Sequence, residues 1–279
     1  MTKLRQRMID DMQLYGLSER TQECYVTSVK RLAQYYRCSP DKLNQENIRR
    51  FFLHLIKEQK IARSTVSMYL SGIKFFYEKT LKQNWEILNL IKPKKTVKLP
   101  VILTINEVKE ILNHVRILSH RICLTMIYSC GLRISEGINL QVPDIDKNRM
   151  LVRVRKGKGN KDRYVPLPKK TLTKLQEYWQ IKKPYPFLFP SRESKKVTRG
   201  TIFLVFKAAL KESGIKKNAH VHSLRHSFAT HLLENDVSVR LIQDVLGHKS
   251  PRTTALYTQL TSKAKTQLSI SINDLVDYL

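Results

Sequence analysis

A length of 279 residues fits one or two domains, and an apolar fraction of 42% is enough for folded cores, which argues against a disordered chain. No apolar run approaches the ~20 residues that cross a bilayer, and the N-terminus has acidic residues but no apolar stretch, unlike a signal or transit peptide, so we expect a cytoplasmic protein. The net charge is +28, with 20 basic against 9 acidic residues up to Pro100 and 31 against 14 after it. Both halves are therefore strongly basic. This favours a protein whose two halves both contact a nucleic acid over a ribosome-associated or membrane-surface protein.

Residues 1–91 are predicted to form a helical domain. Ser18, Asn44 and Ser64 are candidate N-caps, and each precedes a helix-like stretch. In the stretches after Ser18 and Ser64, apolar residues recur at three- and four-residue steps, so these helices should bury one face in a core. The lysines and arginines on the opposite faces are candidates for DNA contact, although a solvated face explains each of them equally well.

A basic linker is predicted at 92–100, because this segment contains two prolines and four lysines and its apolar content is low. The second domain, 101–279, starts with a capping box formed by Thr104 and Glu107, followed by a buried helix that ends near Gly131. Segments 151–155 and 163–167 predict a β-hairpin, and most of the remainder is helical. The predicted fold is therefore mainly α with a small antiparallel β-sheet.

The four cysteines are Cys24, Cys38, Cys123 and Cys130. They form no CxxC pair, and no histidine stands at zinc-finger spacing from them. They predict small core residues or incidental thiols and imply no disulfide framework.

An arginine in an apolar setting follows the Gly131 turn. Arg133 lies between Leu132 and Ile134, so its charge needs an anionic partner. Glu136, three residues on, is a candidate for a purely structural pair. Equally, Glu136 could orient Arg133 toward the phosphate of a substrate.

The turn of the predicted hairpin, KGKGNK, is crowded with Lys156, Lys158 and Lys161. A tip of this kind is usually solvated. Its shape also suits entry into a DNA groove, where one lysine could reach a leaving oxygen.

His222 and Arg225 are three residues apart, so they share one face of a predicted helix. A histidine and an arginine presented together suit phosphate chemistry. The alternative is a histidine whose hydrogen bonds are made within the fold, beside an arginine on the surface. His222 and His226 also have the i, i+4 spacing of zinc ligands, but the glutamate of H-E-x-x-H is missing and zinc is not favoured.

Near the C-terminus, Gly247 is a natural helix end, which places His248 just beyond that helix, where its ring can be aimed. Ser250 and Pro251 predict the start of a short helix. Tyr257 lies on it, nine residues after His248. By composition alone, Tyr257 is one of 12 tyrosines and would be assigned to a core.

Together and in this order, the motifs resemble those of one family. The pattern is G-L-R-x-S-E, a G-K-G-x-K hairpin, H-x-L-R-H-x-F-A-T-H, L-G-H and a tyrosine nine residues later. It is similar to that of the tyrosine recombinases, the phage integrase and Xer-type family, over about residues 100–260. Residues 1–91 resemble the helical core-binding domain of this family more loosely.

The resemblance implies a role for each matched position. The implied catalytic residues are Arg133, Lys158, His222, Arg225, His248 and Tyr257. Tyr257 is the nucleophile, and the two arginines hold the non-bridging oxygens of the scissile phosphate. Lys158 is the general acid for the departing 5′ oxygen, with the other two lysines of the turn as rivals. His222 assists proton transfer, and His248 hydrogen-bonds the phosphate.

The resemblance further implies that double-stranded DNA is cleaved and rejoined through a covalent 3′-phosphotyrosine, with no cofactor, metal ion or ATP. Holding two duplexes together would take a homo-tetramer, and the C-terminal tail could dock on its own or on a neighbouring protomer. Two alternatives remain open: a nicking-closing enzyme of the type IB topoisomerase kind, and a non-catalytic DNA-binding protein of the same fold.

Overall fold

A computed structural model describes residues 2–91, 99–155, 162–191 and 195–247. The chain divides between Lys98 and Leu99 into two compact units. Within these described ranges, no helix is both long and apolar enough to cross a bilayer. Most of the predicted linker, 92–100, lies outside them, so the proposed boundaries at 91 and 101 stay predictions.

The first unit is a set of helices around one apolar core. They are α1 (Lys3–Leu14), α2 (Glu19–Tyr36), α3 (Gln45–Leu53), α4 (Arg63–Phe75) and α5 (Ile87–Leu90). Helices α3 and α4 each continue through one π-helical turn, at His54–Glu58 and Phe76–Thr80. The core includes Leu32 and Ile73 from the two predicted apolar stripes, both fully buried.

Two of the three predicted N-caps of this unit are confirmed. The Ser18 side chain accepts a hydrogen bond from the Thr21 backbone N (3.3 Å), and Asn44 forms a reciprocal capping box with Asn47. The Ser64 cap is wrong: α4 begins at Arg63 after the extended backbone of Ala62, so Ser64 falls inside the first turn. The Ala62 carbonyl accepts the first helical hydrogen bonds, from the backbone N atoms of Thr65 and Val66.

The second unit combines seven helices with three short strands in its described part. The helices are α6 (Ile105–Asn113), α7 (Leu118–Ser129), α8 (Ile134–Ile138), α9 (Lys169–Lys182), α10 (Arg199–Glu212), α11 (Val221–Glu234) and α12 (Val239–Leu246). Helix α7 is central, because α6, α8, α9, α10 and α11 all contact it. Cys123 and Cys130 are fully buried free thiols in this core, as predicted for core cysteines.

The strands β1 (Ile145–Asp146), β2 (Leu151–Val154) and β3 (Arg163–Pro166) form an antiparallel sheet in that order. The predicted hairpin is confirmed as β2 and β3, with Val152 opposite Val165. The sequence did not predict β1. The mainly α fold with a small antiparallel sheet is confirmed.

Two local features set the start of α6 and the position of Arg133. The Thr104–Glu107 capping box is present in both directions, at 3.1 and 2.7 Å, and starts α6. Gly131 has a φ of +59°, and a Cβ there would lie 2.6 Å from the Phe228 ring. Only glycine fits this turn, which leads the chain from α7 directly to Arg133.

Candidate active site

Arg133 stands at the start of α8 and is bound to Glu136. Its Nη1 donates to Glu136 Oε1 (2.6 Å), its backbone N donates to Oε2 (2.8 Å), and its Nη2 donates to the Gly247 carbonyl (3.2 Å). The Arg133 side chain is 23% exposed. Glu136 is therefore the anionic partner that the apolar setting of Arg133 required, and part of the Arg133 side chain stays exposed.

Arg225 lies on α11 and is almost completely buried, with 1% of its surface exposed. Its Nη1 donates to the Gly131 carbonyl (2.7 Å) and its Nη2 to the Leu246 carbonyl (2.6 Å). Nη1 also lies 3.6 Å from Glu136 Oε2. The alternative of a surface arginine is wrong, and the structure brings Arg225 to the same carboxylate as Arg133.

A third arginine, Arg163, joins the same cluster and was missed by the sequence analysis. At the start of β3, its Nη1 and Nη2 donate to the two oxygens of Glu136 at 2.8 and 2.9 Å, and its Nε donates to the Val245 carbonyl (3.0 Å). These partners lie 27 and 82 residues away in the chain, so no local spacing signalled them. We call Arg133, Glu136, Arg163 and Arg225 the arginine cluster.

The arginine cluster closes around the C-terminal end of α12. Three consecutive carbonyls, those of Val245, Leu246 and Gly247, each accept a hydrogen bond from a different arginine of the cluster. Carbonyls at a helix C-terminus carry partial negative charge, so cations are favourable there. Gly247 ends the helix in the left-handed conformation, as predicted. The arginine cluster therefore holds the last described residues of the chain, up to Gly247.

The electrostatics of the cluster favour an anion. Burial by itself raises the pKa of Glu136, but the hydrogen bonds and charge of Arg163 and the hydrogen bonds from Arg133 outweigh it and lower the pKa to about 2. Glu136 is thus ionised at any working pH. One carboxylate against three guanidiniums leaves an excess of positive charge, which suits binding of a phosphate.

His222 lies near the start of α11, one turn before Arg225. Its ring meets that of His226 edge to face, with centroids 4.5 Å apart. Loss of water around the ring, followed by the charges of Arg225 and Arg133, lowers the pKa of His222. A neutral imidazole beside two guanidiniums is able to accept a proton.

His226 supplies a pH-dependent contribution to stability. Burial first, then His222 and Arg225, lower its pKa from 6.5 to about 4. Between these values the unfolded chain takes up a proton that the folded chain does not, so stability should fall as pH drops from 6.5 to 4, by on the order of 2 kcal/mol. Urea unfolding at several pH values would measure this. His226→Gln should flatten the dependence, and equal slopes for the two proteins would contradict the prediction.

Three of the six predicted catalytic residues, Lys158, His248 and Tyr257, lie outside the described residues, as do the rival lysines Lys156 and Lys161. Their roles stay predictions. Among the described residues on either side of these lysines, Arg153 on β2 pairs with Asp162 just before β3 (2.7 Å).

Comparisons with known proteins point to one family. Residues 102–264 match the model of the phage integrase family, and residues 4–87 match the N-terminal SAM-like domain of phage integrases. A Sinorhizobium fredii protein provisionally named integrase/recombinase y4qK is 42% identical over 94% of this chain and 86% of its own length. Tyrosine recombinase XerD of Oceanobacillus iheyensis is 34% identical over 88% of this chain and 89% of its own.

Among solved structures, a lambda integrase dimer bound to a COC′ core site superimposes with a TM-score of 0.76. It covers 92% of this chain and 94% of its own at 18% identity, which shows a shared fold. The family match covers more than half of the chain and includes the arginine cluster. The chain therefore belongs to the phage integrase family and is a tyrosine recombinase.

Proposed function

We propose that this enzyme cleaves and rejoins duplex DNA at a specific site through a covalent bond between Tyr257 and a 3′ phosphate. The observation that carries the proposal is the convergence of Arg133 and Arg225 on one buried carboxylate, at 2.6 and 3.6 Å. The lambda integrase neighbour is bound to DNA, which supports DNA as the partner here. The net charge of +28 supports it as well.

In the proposed reaction, the phenolic oxygen of Tyr257 attacks the phosphorus, and the bond to the 5′ oxygen breaks. His222 assists removal of the phenolic proton, which is needed because tyrosine has a pKa of about 10. Lys158 gives a proton to the departing 5′ oxygen. His248 hydrogen-bonds the phosphate. Reversal of these steps with a different 5′ hydroxyl rejoins the strand, so no ATP is consumed.

Arg133 and Arg225 take the electrostatic part of the mechanism. Their charge stabilises the five-coordinate phosphorus, a task for which many nucleases use metal ions. Their positions are set in advance, because each is tied to a carbonyl at the end of α12 and to Glu136. The cluster therefore offers fixed positive charge where negative charge develops, and we infer that cleavage needs no metal.

This mechanism is tested by adduct formation in a chelator. The unmutated protein first selects a binding duplex from a random-sequence pool, and we call this DNA the selected duplex. A series of substrates is then made from it, each with a nick at a different position, so that the cut strand cannot rejoin. We expect a protein–DNA adduct on denaturing gels, with the same yield in EDTA and in Mg²⁺. Loss of the adduct in EDTA and recovery with Mg²⁺ would contradict the arginine-based mechanism, provided that circular dichroism shows the protein folded in both.

Recombination also requires two duplexes. We propose that four protomers hold them, as the resemblance implies. Exchange of ends between two differently labelled copies of the selected duplex would support this proposal. Relaxation of supercoiled DNA without such exchange would instead favour a nicking-closing enzyme.

A further inference from the structure

Arg163 links three separate parts of the second unit. It belongs to β3, it binds both carboxylate oxygens of Glu136, and it donates to the Val245 carbonyl near the end of α12. Its side chain is only 14% exposed. A fork-to-fork pair of this kind fixes the relative orientation of both groups more firmly than a single hydrogen bond.

Arg163 and Arg133 share the carboxylate of Glu136. Arg163 binds both oxygens through its fork. Arg133 binds the same two oxygens through Nη1 and its backbone N, and its Nη2 reaches the Gly247 carbonyl. Glu136 is only 6% exposed and must keep cationic partners. Without Arg163, Arg133 would be the nearest guanidinium able to satisfy both oxygens, and its fork would turn from the surface toward Glu136.

Arg163 also fixes the chain just before position 248. Its Nε binds the Val245 carbonyl, and a Cβ on Gly247 would lie 3.1 Å from Arg163 Cδ. The side chain is thus packed against the turn that ends α12. Removal of this contact would free one of the three carbonyls that the arginine cluster holds.

We propose that Arg163 is a positioning residue for strand cleavage. It acts through Glu136 and the end of α12, which hold Arg133 and Arg225 toward the phosphate, and it does not contact the phosphate itself. This inference rests on the proposed function. The residue connects the strand that follows the lysine-rich turn with both catalytic arginines, so one side chain aligns three parts of the active site.

The test separates the cleavage step from DNA binding in the full-length protein. We expect Arg163→Gln to lower the single-turnover cleavage rate on the nicked selected duplex about 30- to 100-fold, with the Kd for the intact duplex changed less than about threefold. Arg163→Lys keeps the charge but lacks the fork, so it should recover the folding stability and no more than a tenth of the cleavage rate.

Arg155→Gln is the matched control. Arg155 lies directly after β2 and pairs with the buried carboxylate of Asp144 (2.6 Å), so its loss perturbs the neighbourhood of the same sheet away from the arginine cluster. It should retain most of the cleavage rate. Full activity of Arg163→Gln or Arg163→Lys, an equal loss of cleavage and affinity, or an equal loss in Arg155→Gln would each overturn the proposal. Failure of the proposed function itself is distinct, because the unmutated protein would then form no adduct.

Discussion

Replacing Tyr257 by phenylalanine is expected to abolish the covalent adduct while folding and DNA binding survive. The change removes one oxygen, and that oxygen is the attacking atom in the proposed reaction. The proposed mechanism contains no second nucleophile, so the loss should reach the detection limit of a denaturing gel. The arginine cluster is untouched by this variant, and the Kd for the selected duplex should therefore stay within about twofold of the original.

Tyr164→Phe is a suitable control for this experiment. Tyr164 lies on β3, directly after Arg163, and is 57% exposed, so it is a tyrosine of the same unit that is open to solvent. It should form the adduct at the normal rate. An adduct that persists in Tyr257→Phe and disappears in another tyrosine variant would show that the nucleophile has been misassigned.

Local features of the fold could be predicted because their causes lie within a few residues. The caps at Ser18, Asn44 and Thr104 each join a side chain to a backbone N three residues on. The end of α12 at Gly247 follows from the same kind of rule. Ser64 fits the pattern equally well but is no cap, because α4 begins after Ala62, two residues earlier than a cap at Ser64 would require.

The active site could be predicted only in part, because its partners are distant in sequence. The motifs identified Arg133 and Arg225. For Glu136, the sequence left open whether it forms a purely structural pair with Arg133 or orients Arg133 toward a phosphate. Burial of Arg225 could not be seen, since its partners at Gly131 and Leu246 are 94 and 21 residues away. Arg163 looked like an ordinary strand residue for the same reason.

The hydrogen bonds of the cluster explain how three arginine side chains can be kept largely out of water. A guanidinium removed from water is costly unless its donors are satisfied. Here each arginine satisfies one of three carbonyls at the end of α12, and Glu136 compensates part of their charge. The helix end therefore stabilises the cluster, and the cluster fixes the helix end. The charge that we propose for cleavage and the local stability depend on the same hydrogen bonds, so substitutions in the cluster should affect both.

Lys158→Ala should cripple cleavage of ordinary DNA and should be rescued by a substrate with a better leaving group. A general acid matters only when the departing oxygen needs a proton. Sulfur in place of the bridging 5′ oxygen leaves without one. On the selected duplex with a 5′-thio linkage, Lys158→Ala should therefore cleave nearly as fast as the unmutated enzyme, against a loss of about 10²- to 10⁴-fold on the oxygen substrate.

The rescue distinguishes the acid from the groups that stabilise charge. Arg133→Ala should gain nothing from sulfur, because its guanidinium, held at 2.6 Å from Glu136, acts on the non-bridging oxygens. Lys156→Ala and Lys161→Ala are matched controls from the same lysine-rich segment, which lies between β2 and β3 in the chain. Sulfur rescue of either of these instead of Lys158→Ala would move the acid within the turn and leave the reaction class intact. Rescue of none of the three lysine variants would place the acid elsewhere, and His222, which lies one helical turn from the buried Arg225, would be the next candidate to test.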